Sequence, residues 1–291
     1  MKTNATIFFL LFLTSCKQDV AVDLPPFEEK LVAISYIEEG DSKYLVYINK
    51  TIDPHLDNYW NYIDTSFAMA KVMLSIDNVP FELRRMPKSE YHKYISSVHN
   101  SYGRFFALDK KVKNITNVKL TMEYQGMKVE SECNMLPTPH IENAVLTGTS
   151  QSSGYYSGMK VKISANFPAG ISLYMIQLIQ PSYIVYQDSV NVWYSSQYST
   201  KGYFTSTNTD RNKEFIFSNT SFSSNTNQRN YIIVLTRIEK AYYDFALASK
   251  AQFNETDTFL PTETTEVPSN IRGGYGIFTA MKSDTAKVTL Q

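Results

Sequence analysis

Few side chains in this chain are placed to do chemistry. There are two thiols, Cys16 and Cys133, and four imidazoles, His55, His92, His99 and His140. Cys16 closes the run Leu13-Thr14-Ser15-Cys16, directly behind the almost wholly apolar, charge-free residues 5–13. A thiol is a nucleophile and can be committed to a thioether. If Cys16 is spent in this way, Cys133 has no partner for a disulfide. It is then either a small core residue or a free reactive thiol. Asp53, His55 and Asp57 alternate and would put three ligands on one side of a strand, but Pro54 and the loop setting favour a structural or solvated loop over a metal site. There is no His-Glu-x-x-His pair and no Gly-x-Ser-x-Gly elbow, so neither a metal centre nor a nucleophilic hydrolase is expected. Gly273-Gly274-Tyr275-Gly276 lacks the following Gly-Lys-Ser/Thr of a phosphate loop and leads into a strand-like run. Its glycines suit a sharp turn and a close backbone approach, which makes Asn270, Gly273, Gly274, Gly276 and Phe278 a structural motif. No catalytic residue and no cofactor is expected.

The remaining chemical signal is aromatic. Trp193, Tyr194, Tyr198 and Tyr203 lie in a Tyr-rich second half, where aromatic faces beside hydroxyls and amides suit contact with a sugar, another small ligand or a protein partner. Tyrosines half-buried on strands would give the same composition. Asp188-Ser189-Val190 and Asp284-Thr285-Ala286 resemble a short bacterial O-glycosylation pattern.

The elements that must carry these residues are mostly strands. Residues 31–37 and 44–48 read as a hairpin, and Val72, Leu74 and Ile76 precede an Asp77-Asn78 turn and a returning strand. Over residues 118–135 apolar and polar side chains alternate on either side of Gln125-Gly126, the pattern of a half-buried antiparallel hairpin with Cys133 on its apolar face. Pro137 and Pro139 then mark a boundary. Further β-like runs follow at 159–167, 171–179, 183–194 and 231–235. A helix is expected over 238–253, where Ile238, Tyr242, Phe245 and Ser249 keep helical spacing, and a last strand is expected over 287–291.

The apolar run and Leu13-Thr14-Ser15-Cys16 resemble a bacterial lipobox; an ordinary signal peptide with a chance cysteine is the alternative. The run is far shorter than the roughly 20 residues a membrane-spanning helix needs. Acyl chains on Cys16 would hold the protein at a membrane. Balanced charge, 28 basic against 28 acidic residues, leaves no basic footprint for nucleic acid.

The C-terminal order of apolar strand, Tyr242-Tyr243 helix, Pro268-Ser269-Asn270-Ile271, Gly273-Gly274 and Gly276-Ile277-Phe278 resembles the Bacteroidetes lipoprotein family called domain of unknown function 4249. The resemblance implies an outer-membrane lipoprotein whose relatives are encoded near TonB-dependent transporters; it supplies no catalytic residues. The expected architecture is mostly β, with two β-sandwich-like domains. Residues 1–15 are the signal peptide and 16–28 a lipidated tether. Residues 29–136 form an immunoglobulin- or transthyretin-like sandwich, and 137–291 a second β domain with one short helix and the motif at 269–278. The expected role is a non-enzymatic binding accessory on the outer membrane, facing the cell surface, beside a TonB-dependent nutrient transporter and an unknown small ligand or glycan. A structural or adhesive surface protein is the alternative.

Overall fold

The computed structural model describes residues 27–51, 67–87, 89–90, 104–148, 151–152, 155–179, 182–186, 189–193, 199–223, 230–254 and 267–290. In the first half the strands are β1 (Leu31–Glu38), β2 (Tyr44–Lys50), β3 (Lys71–Ile76), β4 (Val79–Glu82), β5 (Arg84–Arg85), β6 (Arg104–Leu108), β7 (Asn117–Tyr124) and β8 (Met127–Asn134). In the second half come β9 (His140–Gly148), β10 (Gln151–Ser152), β11 (Tyr155–Asn166), β12 (Ser172–Ile179), β13 (Ser182–Tyr186), β14 (Ser189–Trp193), β15 (Ser199–Ser206), β16 (Asn212–Ser223) and β17 (Asn230–Ile238). The helix α1 (Lys240–Asn254) follows, then β18 (Gly274–Met281) and β19 (Ser283–Thr289).

Two pairs of sheets face each other. Sheet I has the order β18-β1-β2-β6-β5 and sheet II the order β4-β3-β7-β8. Their facing sides bury Leu31, Ala33, Val46, Ile48, Leu74, Leu120, Met122, Val129 and Phe278 in one core. Sheet III is built on β11, with β16 on one side and β9 and β10 on the other; sheet IV has the order β15-β12-β17-β19. Leu146, Val161, Phe167, Tyr174, Ile176, Ile233 and Leu235 fill the core between these two. The alternation that marked β7 and β8 is the physical cause of this layering. Val118, Leu120, Met122 and Tyr124 are buried, while Lys119, Thr121 and Glu123 stand on the wetter side.

Local turn chemistry sets the hairpins. Asp77 (φ 49°) and Asn78 (φ 67°) join β3 to β4, and Gln125 (φ 50°) and Gly126 (φ 80°) join β7 to β8. Two successive residues at positive φ match the right-handed twist of the flanking strands. The Asp77 carboxylate also accepts the N–H groups of Thr116 and Asn117, both at 2.9 Å, tying this turn to the start of β7.

One strand does not follow chain order. Residues 269–278 were expected to belong with the second half. Instead β18 pairs parallel with β1 in sheet I, from Leu31 opposite Gly274 to Glu38 opposite Met281. Just before it, Arg272 exchanges both backbone hydrogen bonds with Glu130 of sheet II, so the segment closes the first sandwich from one sheet to the other. The chain then crosses back, and β19 pairs with β17 in sheet IV. The cause lies in the residues: Gly276-Ile277-Phe278-Thr279-Ala280-Met281 is buried throughout. A strand apolar on both faces needs cover on both faces. Phe278 and Ala280 enter the first core, while Ile277 and Met281 face the second half of the molecule.

Gly276 makes the pairing possible. It holds φ +120°, and a Cβ there would lie 1.9 Å from the Ala33 carbonyl oxygen. Asn270 completes the edge: its side-chain amide donates to the Phe278 carbonyl at 2.6 Å and its Oδ1 accepts the Phe278 N–H at 2.9 Å. It thus stands in for a missing neighbour strand. The Asn270 carbonyl is itself held by the Ser131 hydroxyl at 2.8 Å. Gly276→Ala is expected to destabilise the protein by at least about 3 kcal/mol, because the strand must leave β1 to relieve the clash. Gly126→Ala, at φ +80° with nothing within 4 Å, is expected to cost only about 1 kcal/mol. Chemical denaturation of both variants checks the contrast; equal losses would refute the close-approach account.

Candidate functional site

Of the aromatic residues singled out in the sequence, Trp193 and Tyr203 lie within described strands. Tyr194 and Tyr198 lie outside the described residues, as do Cys16, the trio Asp53, His55 and Asp57, and both His92 and His99. Trp193 ends β14, whose only strand partner among the described residues is β13. Tyr203 sits within β15, opposite Met175 of β12. Its ring packs edge-on against Tyr243 at 6.0 Å and Tyr242 at 6.4 Å between centroids. It therefore belongs to internal packing, where the sequence reading had it as a contact residue.

That packing is the seam between the two sandwiches. Met175, Ile238, Tyr242, Ile277 and Met281 are buried together, with Ile34, Leu173 and Tyr203 packed against them. The seam joins the outer faces of sheets I and IV, with α1 laid over both. The helix was expected over 238–253 and forms over Lys240–Asn254; Tyr242 is the most buried of its described side chains at 5% exposure. The Tyr242 ring meets Tyr36 of β1 edge-on at 5.5 Å, and its hydroxyl donates to the Met175 sulfur at 3.6 Å. Burial pushes the Tyr242 phenol above the ordinary tyrosine range.

Cys133 lies on the apolar face of β8 at 3% exposure, and burial raises its thiol well above the ordinary range. It is a core side chain by position, since reactive thiols need the thiolate. His140 Nδ1 lies 3.1 Å from Asp284 Oδ2, and the same oxygen accepts the Ile141 N–H at 2.7 Å. This contact fastens the start of β9 to β19. Thr285, in the glycosylation-like triplet, is exposed on β19. Among the described residues no group of three or more His, Cys, Asp or Glu side chains is arranged to hold a metal ion.

The sequence reading passed over a concave feature on the first sandwich. A cavity of about 400 Å³ is lined by Arg85, Met86, Pro87 and Arg104. Nearby, Arg84 donates to Asp109 at 2.5 Å and to Glu90 at 3.0 Å, and Lys43 pairs with both carboxylates. The Arg84 hydrogen bonds hold the Asp109 and Glu90 carboxyls below their ordinary values. No spacing rule would have found the cavity, because β5 and β6 are brought together only by sheet pairing.

Two outcomes test the seam. Tyr242→Ala is expected to cost about 3 kcal/mol and to split thermal unfolding into separate transitions for the two sandwiches. A single transition at the wild-type temperature would refute it. The buried phenol is neutral in the folded protein and ionises near pH 10 when unfolded. Its contribution to stability is therefore present below about pH 10 and is lost as the pH rises above it. Denaturation midpoints measured between pH 8 and pH 11 are expected to fall less steeply in Tyr242→Phe than in wild type.

No curated protein matches the chain. Solved structures match it weakly. Bovine butyrophilin shows 9% identity and a TM-score of 0.21 over 72% of this chain and 92% of its own. The FN1–FN3 domains of chicken CNTN1 show 9% identity and a TM-score of 0.21 over 89% of this chain and 69% of theirs. Dimeric latent PorU from Porphyromonas gingivalis shows 8% identity and a TM-score of 0.19 over 90% of this chain and 20% of its own. TM-scores this low carry no functional argument. A family model, by contrast, spans nearly the whole described structure, from before β1 to within β19. With residues 17–287 matched, the chain belongs to the family described as Domain of unknown function (DUF4249).

Proposed function

We propose that this protein is a lipoprotein of the bacterial outer membrane, held through acylated Cys16, which works without catalysis as a binding accessory beside a TonB-dependent nutrient transporter. The observation that carries the reading is the Cys16 thiol set directly behind a short apolar run and two small residues. Residues 17–30 lie between that thiol and β1 and reach about 45 Å when extended.

The way the tether enters the fold supports the same role. The Lys30 carbonyl accepts the Thr51 N–H at 2.8 Å, and the Lys30 N–H donates to the Thr51 hydroxyl at 2.8 Å. The next residue begins β1, which lies between β18 and β2. A pull along the tether thus loads two hydrogen-bond ladders at once. A sandwich pair held near a membrane raises its effective concentration beside a membrane partner, which a binding accessory can use in place of high intrinsic affinity.

The test compares the full chain with its Cys16→Ser variant in a bacterium fed an alkynyl fatty acid. Wild type is expected to carry the label, to sediment with outer membranes and to co-purify with a β-barrel transporter after gentle solubilisation. Cys16→Ser is expected to lose the label and leave the membrane fraction. A labelled or membrane-bound Cys16→Ser protein overturns the anchor. Labelled wild type that purifies without a transporter overturns the accessory role and favours a structural or adhesive one.

A further inference from the structure

The two ends of the first sandwich carry different connections. The tether enters at Leu31, the start of β1, beside Lys50 near the end of sheet I and Gly274 at the start of β18. Sheet II shows the same end: the Lys50 ammonium lies 5.9 Å from the Tyr124 ring centroid, and Arg272 bridges to Glu130. Both short links to the second sandwich leave from the opposite end. β18 finishes at Met281, opposite Glu38, and Lys282 alone separates it from β19. β8 finishes at Asn134, opposite Asn117 at the start of β7, and residues 135–139 lead on to β9. Glu39, just past β1, gathers this end together. Its carboxylate pairs with Lys282 at 2.7 Å and accepts the Ile115 N–H at 2.9 Å. The remaining link, residues 255–273, is far longer, so the two short ones become taut first.

A load between the tether and the second sandwich therefore runs along the strands of the first. β1 is drawn from its start while β18 is held from its end. The two parallel strands are registered from Leu31 opposite Gly274 to Glu38 opposite Met281, and the load pulls them in opposite directions along their common axis. Hydrogen bonds in a parallel ladder are evenly spaced along that axis. They share a load applied along it and must fail together, whereas a load applied across it parts them one after another. Side chains add to the resistance. Leu31, Ala33 and Ile37 are fully buried, and sliding β1 by one residue would turn all three away from the core.

We propose that the first sandwich is a load-bearing link, which holds the second sandwich to the tether by keeping β1 in shear between β18 and β2. The source of the load rests on the membrane attachment proposed above; the resistance is a property of the fold and is measured without a membrane.

The test is single-molecule force spectroscopy on the full, unlipidated chain. One handle is attached at Pro137→Cys, an exposed position in the link between β8 and β9. The other is attached at Cys16, or, in a Cys16→Ser background, at Ser42→Cys. Ser42 is exposed in the β1–β2 turn, at the same end as Pro137, so this second pull peels the strands from that end. Cys133 is buried and takes no handle. Both variants are expected to melt at the wild-type temperature. Forced unfolding reads the unfolding barrier, and the rupture force of the first sandwich is expected to be several-fold higher through Cys16 than through Ser42→Cys. Equal forces, or a lower force through Cys16, overturn the proposal. The fatty-acid labelling decides the anchor and the pulling experiment decides the link, so failure of one is told apart from failure of the other.

Discussion

The structure depends on one parallel strand pairing, β18 against β1. Everything near it is arranged to make that contact possible and to keep water from it. Gly276 removes the side chain that would strike the Ala33 carbonyl. Asn270 satisfies the N–H and C=O of Phe278 on the strand's outer edge. Phe278 and Ala280 enter one core, while Ile277 and Met281 enter the seam. A buried strand edge with unmet backbone groups costs free energy comparable to each lost hydrogen bond, so the clamp and the strand form a single unit.

The same strand ties the two halves of the molecule together. The chain leaves the first sandwich after β8, builds the second, and returns for β18 before ending in β19. The first sandwich is therefore incomplete until most of the chain has been made. Its edge on the β1 side is filled by residues more than two hundred positions away, from Leu31 to Gly274. Such long-range pairing is slow to find but, once formed, leaves β1 covered on both sides. Tyr203, which the composition offered for contact, is used here instead: with Tyr242 and Tyr243 it packs in the seam that the return strand creates.

Local features of the fold were readable from the chain. Alternation marked β7 and β8 and put Cys133 inside; Asp77-Asn78 marked the turn from β3 to β4 and Gln125-Gly126 that from β7 to β8; the spacing around Tyr242 marked α1 to within two residues. These signals are local because side-chain period and backbone φ are set by neighbouring residues. The destination of residues 269–278 was not readable, because an apolar run shows that a strand is buried but not which sheet buries it. The cavity escaped notice for the same reason. Arg85 and Arg104 are nineteen positions apart and meet only through the register of β5 and β6.

The sequence by itself determined the β class, the hairpins and the helix, since each follows from short-range chemistry along the chain. It also pointed to a backbone role for the glycines at 273–276. Only the tertiary structure decided what those glycines are for. They allow a strand from the C-terminal end to lie against the first strand of the fold, where the approach to Ala33 leaves no room for a Cβ. That contact, and with it the seam, depends on which surfaces meet in space, which residue order does not encode locally.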